Sequence, residues 1–135
     1  MRIFAVGLYA MKDFKKYYII PEEPAIVYQA LTNAATIQLW TGEPAEMSTE
    51  PGSEFSLWDG SITGKNLEFV ADKKIVQQWY FEGQEEPSIV TIILHANKQG
   101  TSVELRHSNI PDEAYVDITE GWTDSYFRSL GMFYE

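Results

Sequence analysis

The chain contains two histidines, His95 and His107, on neighbouring stretches that read as strands. Imidazoles facing each other across a hairpin can hold a metal or pass a proton. No cysteine joins them. Nor is there an HExxH pair, a GxSxG elbow or a phosphate-binding glycine loop. Val103, Leu105 and His107 alternate onto one face, and Glu104 and Arg106 onto the other, whereas no alternation assigns His95 a face. The default for both is a hydrogen-bonded or surface imidazole. Glu85–Glu86 and Asp112–Glu113 read as solvated ends rather than as an acid–base couple. The expectation is therefore no catalytic residue, no metal and no cofactor.

Gln77 raises a different kind of chemistry. In KIVQQWYF, Ile75, Gln77, Trp79 and Phe81 share one face, while Val76, Gln78 and Tyr80 share the other. A buried amide needs hydrogen-bond partners. They can come from the protein or from a small molecule bound beside it. In the second case His107 and Ser125 are further polar points, and Trp79, Trp122 and Tyr126 are walls. In the first, the same rings are an aromatic core. The full candidate lining is Phe55, Leu57, Gln77, Trp79, Val103, Leu105, His107, Trp122, Ser125 and Tyr126.

The elements that must position these residues follow from periodicity. Phe14 to Ile20 predicts a strand ended by Pro21. Glu22 to Leu31 predicts a short helix with Pro24 in its first turn. Asn33 and Gly42 bracket a second short helix carrying Ile37, Leu39 and Trp40. Strands follow at Glu54–Trp58, Ser61–Val70, Lys74–Phe81, Ser88–Ala96 and Thr101–His107, with Asp59–Gly60 as a two-residue hairpin turn. Ala114 to Tyr134 predicts one long helix, about 31 Å at 1.5 Å per residue, with Pro111 and Asp112 as its start. Steps of 100° place Asp117, Glu120, Asp124, Arg128 and Glu135 on a polar arc. Ala114, Tyr115, Ile118, Trp122, Tyr126, Leu130, Met132 and Phe133 fall opposite. Ser125 and Ser129 lie within that apolar arc, and Gly121 lies at its edge. Consecutive strands with tight turns imply an antiparallel sheet, and one amphipathic helix laid across it implies an α+β layer arrangement.

Composition narrows the partners. The 135 residues suit one domain, expected over residues 11–135, and 44% hydrophobic residues exclude a disordered chain. Ten basic against twenty acidic residues give a net charge of -10, which repels phosphate backbones and argues against nucleic acid. No run reaches the roughly 20 apolar residues of a membrane span, so no membrane partner is expected. The absence of cysteine suits a cytoplasmic protein. Residues 1–10, MRIFAVGLYA, are read as a strand-like arm or as an over-long start ahead of Met11. Arg2 and the apolar residues after it only faintly resemble a signal peptide, and no cleavage region follows.

Asp59 to Phe81, DGSITGKNLEFVADKKIVQQWYF, resembles the signature of the activator of heat-shock protein 90 ATPase homologue family. Asp59, Gly60, Ile62 and Gly64 match its hairpin, and Lys73 to Val76, Trp79 and Phe81 match the strand that follows. Pro51–Gly52, Phe55, Ile110–Pro111, Gly121–Trp122 and Tyr126–Phe127 complete an ordered set running from about Lys15 to the end. The resemblance implies a stand-alone helix-grip domain of the START and birch-pollen-allergen superfamily. Such a domain has a curved antiparallel sheet wrapped around a long C-terminal helix, two short helices after the first strand, and a cavity between sheet and helix. It also implies a non-enzymatic, stress-linked role in binding a heat-shock chaperone. The alternative it carries is a small apolar ligand in the cavity. A third is an enzyme like the superfamily's cyclases and hydrolases. Asp124 and Ser125 depart from the basic and aromatic residues usual at those positions of the co-chaperone, which favours an altered cavity.

Overall fold

The computed structural model describes residues 11–84 and 86–135. The arm or over-long start expected at residues 1–10, and Glu85 of the pair Glu85–Glu86, lie outside the described residues. Six strands, β1 (Met11–Ile20), β2 (Glu54–Leu57), β3 (Ile62–Val70), β4 (Lys74–Trp79), β5 (Ser88–Asn97) and β6 (Gly100–Pro111), form one antiparallel sheet. Its order is β1-β6-β5-β4-β3-β2, so β2 to β6 follow as a meander and β1 closes onto β6. Helices α1 (Pro24–Thr32) and α2 (Ala34–Thr41) fill the connection from β1 to β2. After β6 comes a 3₁₀ turn at Asp112–Ala114, then α3 (Tyr115–Gly121), a π turn at Trp122–Tyr126 and α4 (Phe127–Phe133). The architecture is α+β, a curved open sheet gripping a long C-terminal helical tract.

Local chemistry sets the short helices. The Asn33 side chain accepts a hydrogen bond from the Thr36 amide at 2.9 Å, satisfying a free donor at the start of α2. Gly42 ends α2 with φ 75°, the left-handed conformation that suits glycine. Ile37 and Trp40 are buried there, but Leu39 is 69% exposed, because it falls on the opposite side of the turn.

The sheet's inner face carries the core. Ile75, Gln77 and Trp79 of β4, Val90, Ile92 and Leu94 of β5, and Val103, Leu105 and His107 of β6 are all buried. Each fully buried aliphatic side chain contributes roughly 1.5–3 kcal/mol relative to exposure. Glu104 faces the other side of the sheet, yet its side chain is covered too. His95 Nε2 at 2.9 Å and Arg106 Nε at 2.6 Å bond its carboxylate, and the His95 bond is the largest cause holding its pKa below the usual carboxylate range.

Two elements differ from the sequence expectation. The β2–β3 turn is a four-residue loop, Trp58 to Ser61, because Leu57 pairs with Ile62. Trp58 and Asp59 both adopt left-handed backbone, with φ 49° and 53°. The C-terminal tract is not a uniform α-helix. Phe127 N–H donates to Trp122 O, an i→i+5 bond that takes one extra residue into the turn. The residues beyond it are therefore rotated by about 100° from the α-helical projection. Phe127 and Leu130 face inward, whereas Met132 is 58% and Phe133 41% exposed. Asp112 also has a different role: it pairs with Lys12 at 2.9 Å instead of capping the helix.

Candidate functional site

A cavity of about 290 Å³ lies between the β2–β3 loop, the end of β4 and the C-terminal tract. The loop contributes Trp58, Ser61 and Ile62, β4 contributes Trp79, and the tract contributes Asp117, Ile118, Gly121, Trp122, Ser125 and Tyr126. The walls hold one another. Trp79 stacks on Trp122 with centroids 4.5 Å apart, and Phe127 covers Trp122 from another side at 5.7 Å. Tyr126 meets Trp122 at 4.6 Å, Trp40 at 5.2 Å and Trp58 at 5.7 Å. Burial alone holds the Tyr126 hydroxyl well above the ordinary tyrosine range.

Two buried polar chains fix the tryptophans from behind. In the first, Trp79 Nε1 donates to Gln77 Oε1 at 3.1 Å, and Gln77 Nε2 donates to Asn66 Oδ1 at 3.1 Å. Asn66 Nδ2 in turn reaches the Ser48 carbonyl and Ser53 Oγ, each at 3.1 Å. That chain ties the connection before β2 to the inner face of the sheet. In the second, Trp122 Nε1 lies 3.0 Å from His107 Nδ1, and His107 Nε2 lies 2.8 Å from Ser88 Oγ. An indole N–H can only donate, so Nδ1 accepts and Nε2 carries the proton. The Ser88 hydroxyl then accepts from Nε2 and donates its own hydrogen bond to the Ser108 carbonyl at 3.1 Å. Burial pushes the His107 imidazole down to about 3, against a small opposing effect of Asp13, so the ring is neutral near pH 7.

The sequence-predicted lining divides into three groups. Trp79, Trp122, Ser125 and Tyr126 line the cavity. Gln77 and His107 sit behind its walls as hydrogen-bond partners of the two indoles. Phe55, Leu57, Val103 and Leu105 belong to the buried core and do not line it. Six further lining residues escaped the sequence reading: Trp58, Ser61, Ile62, Asp117, Ile118 and Gly121. The family motifs contained three of them, Ile62 and Ser61 in the hairpin and Gly121 beside Trp122. The helical projection places Asp117 on the solvent arc; it is exposed, and it also stands on the cavity wall.

The two histidines lie on opposite faces of the sheet, His107 buried inside and His95 exposed outside. His95 pairs with Ser102, five residues from His107 along β6, a separation of about 17 Å at 3.4 Å per residue. They cannot share a metal or a proton. Among the described residues no group of three or more His, Cys, Asp or Glu side chains is placed to hold a metal. No helix of the described residues is long and apolar enough to cross a membrane.

The chain has recognisable relatives. Over 112 residues it is 30% identical to the Activator of 90 kDa heat shock protein ATPase homolog 1 of Homo sapiens, covering 82% of this chain and 32% of that protein. It is 31% identical over 102 residues to the corresponding Dictyostelium discoideum activator homolog, covering 73% of this chain and 27% of that one. The chain thus spans about a third of the length of the curated relatives it matches. Its fold is similar to the crystal structure of an HSP90 activator from Plasmodium falciparum, with TM-score 0.82, 27% identity, and 92% and 96% of the two chains covered. The Aha1 dimer from Colwellia psychrerythraea shares the fold with TM-score 0.75 at 19% identity, over 90% of this chain and 97% of that one. The sequence model of the Activator of Hsp90 ATPase homolog 1-like family matches residues 22–134, from the turn after β1 to the end of the helical tract, and the chain belongs to that family.

Proposed function

We propose that residues 11–135 act as a single non-enzymatic domain that binds a heat-shock chaperone of the 90 kDa class in the cytoplasm. The observation that carries this reading is the family match over residues 22–134, together with relatives named as activators of that chaperone's ATPase. The site chemistry supports a binding role over a catalytic one. His107 is buried and both its ring nitrogens are engaged by Trp122 and Ser88, so neither is free to meet a substrate. The net charge of -10 favours a basic partner surface. Ile19 and Met132, both exposed, line a shallow groove with Arg128 that offers mixed apolar and charged contact. An NMR titration of the labelled domain with its host's chaperone tests the reading. Localised shifts on exposed residues, lost at high salt, support it. No shifts at high chaperone concentration would remove it for this domain.

A second reading, favoured by the cavity itself, is a small-molecule site beside the C-terminal tract. Its volume, about 290 Å³, falls just below the usual range for drug-sized ligands, which suits a small molecule. Its walls are mostly aromatic, with a few polar groups to orient a ligand. Mass spectrometry of the natively purified protein, followed by displacement of whatever is carried, tests this reading. A protein that carries nothing and binds no aromatic probe would exclude it.

A further inference from the structure

Three features that each cost stability meet at this cavity. Trp58 holds left-handed backbone with φ 49°, a strained conformation for a bulky residue. The π turn at Trp122–Tyr126 replaces regular helix where the tract borders the cavity. Gly121 has ordinary helical dihedrals, and a Cβ added there would meet nothing within 4 Å. Plain packing at that position would favour alanine, which lacks the entropy cost of a helical glycine. A cavity kept open by strain, by an irregular turn and by a missing side chain is built to hold something.

The lining specifies what. Among the described residues its one charged group is the Asp117 carboxylate, and its other polar groups are the hydroxyls of Ser61, Ser125 and Tyr126 and the indole N–H of Trp58. The described lining contains no lysine, arginine or histidine. The remaining surface is largely tryptophan and tyrosine ring, which is electron-rich on its faces and attracts cations. A fatty acid or phosphorylated amphiphile would set its anion against Asp117, in a protein that already carries -10. A flat two- or three-ring body stacks on such walls, and a protonated amine on it can donate to Asp117 in a charge-assisted hydrogen bond. Resting on the ligand reading of the cavity, we propose that it binds a small, flat organic cation, an aromatic or fused-ring amine, with Asp117 as the specificity-determining residue.

Two acridines of matched shape and opposite charge test this. 9-Aminoacridine is a cation at pH 7, and acridine-9-carboxylate is an anion. Each is titrated into the full chain at 150 mM salt and followed by tryptophan quenching and calorimetry. The expected result is saturable one-to-one binding of the amine, at least about tenfold tighter than the carboxylate. Asp117→Asn should weaken the amine by about tenfold and leave the carboxylate unchanged or tighter. Glu23→Gln, an exposed carboxylate just before α1 and outside the cavity lining, should change neither. Gly121→Leu, with its melting curve and NMR dispersion intact, should abolish binding of both. Equal affinity for the two acridines, or an amine affinity indifferent to Asp117→Asn, would overturn cation recognition while leaving a pocket in place. Binding that survives Gly121→Leu, or no saturable binding of either acridine, would overturn the pocket reading as well.

Discussion

The Trp122 indole N–H donates to His107 Nδ1 across 3.0 Å, and this bond joins the cavity wall to strand β6 of the sheet. It needs a neutral, buried imidazole. His107 is held at about 3 in the folded protein by burial, against about 6.5 in an unfolded chain. Between those values the unfolded state binds the extra proton. His107 therefore contributes stability that is fully present above pH 6.5 and is lost as pH falls toward 3. Lowering the pH from 7 to 5 should cost about 2 kcal/mol through this group. Urea denaturation at the two pH values measures the difference. In His107→Gln the loss over the same interval should shrink by most of that amount. An unchanged pH slope in the variant would show that His107 titrates normally.

Gln77 joins two strands and a loop through its amide. Gln77→Leu is close in volume but strands the Trp79 N–H and removes the donor to Asn66. The expected cost is about 2–4 kcal/mol, because two buried groups lose their partners. Gln78→Leu, on the outer face, should stay within roughly 0.5 kcal/mol of the parent. Chemical denaturation of the pair decides it. Similar midpoints would mean that the buried chain is unimportant.

Glycines 64 and 121 should respond in opposite directions to the same change. A Cβ on Gly64 would lie 2.0 Å from the Gln78 carbonyl and 2.7 Å from the Phe55 ring. Gly64→Ala must push β3 away from β4 and should cost about 3 kcal/mol or more. Gly121→Ala meets open space in helical backbone. It should stabilise by about 0.5–1 kcal/mol and raise the melting temperature by roughly 2–4 °C. Calorimetry of both variants checks the contrast, and two losses of equal size would refute it.

Ser125 is exposed and lies on the cavity wall. Ser125→Trp should occupy that space, reducing the affinity of any cavity ligand by more than tenfold, about 1.4 kcal/mol. Binding of a chaperone at the exposed sheet or helix ends should not change. Parallel ligand and chaperone titrations separate the two sites. A ligand affinity equal to that of the parent chain would displace the site from this cavity.

Much of the fold was legible in the sequence because its signals are local. Asn33 and Gly42 mark the ends of α2 through a side-chain cap and a left-handed glycine. The alternation of Ile75, Gln77 and Trp79 is a property of the pleat, and those residues are the ones β4 buries. The same pattern placed Val103, Leu105 and His107 on one face, correctly inward. The motifs between Asp59 and Phe127 were enough to identify the family and, through it, the helix-grip arrangement.

The cavity wall was decided elsewhere. A uniform 100° projection puts Met132 and Phe133 among the inward residues and omits Phe127. The one extra residue in the π turn brought Phe127 inward and left Met132 and Phe133 exposed. No periodicity announces that residue, because it follows from packing Trp122 between Trp79 and Phe127. The facing of His95, and the partners that satisfy Gln77 and His107, also depend on residues distant in sequence. Types and spacings determined which side chains could be buried. The register of six strands, and one irregular helical turn, determined which of them border empty space.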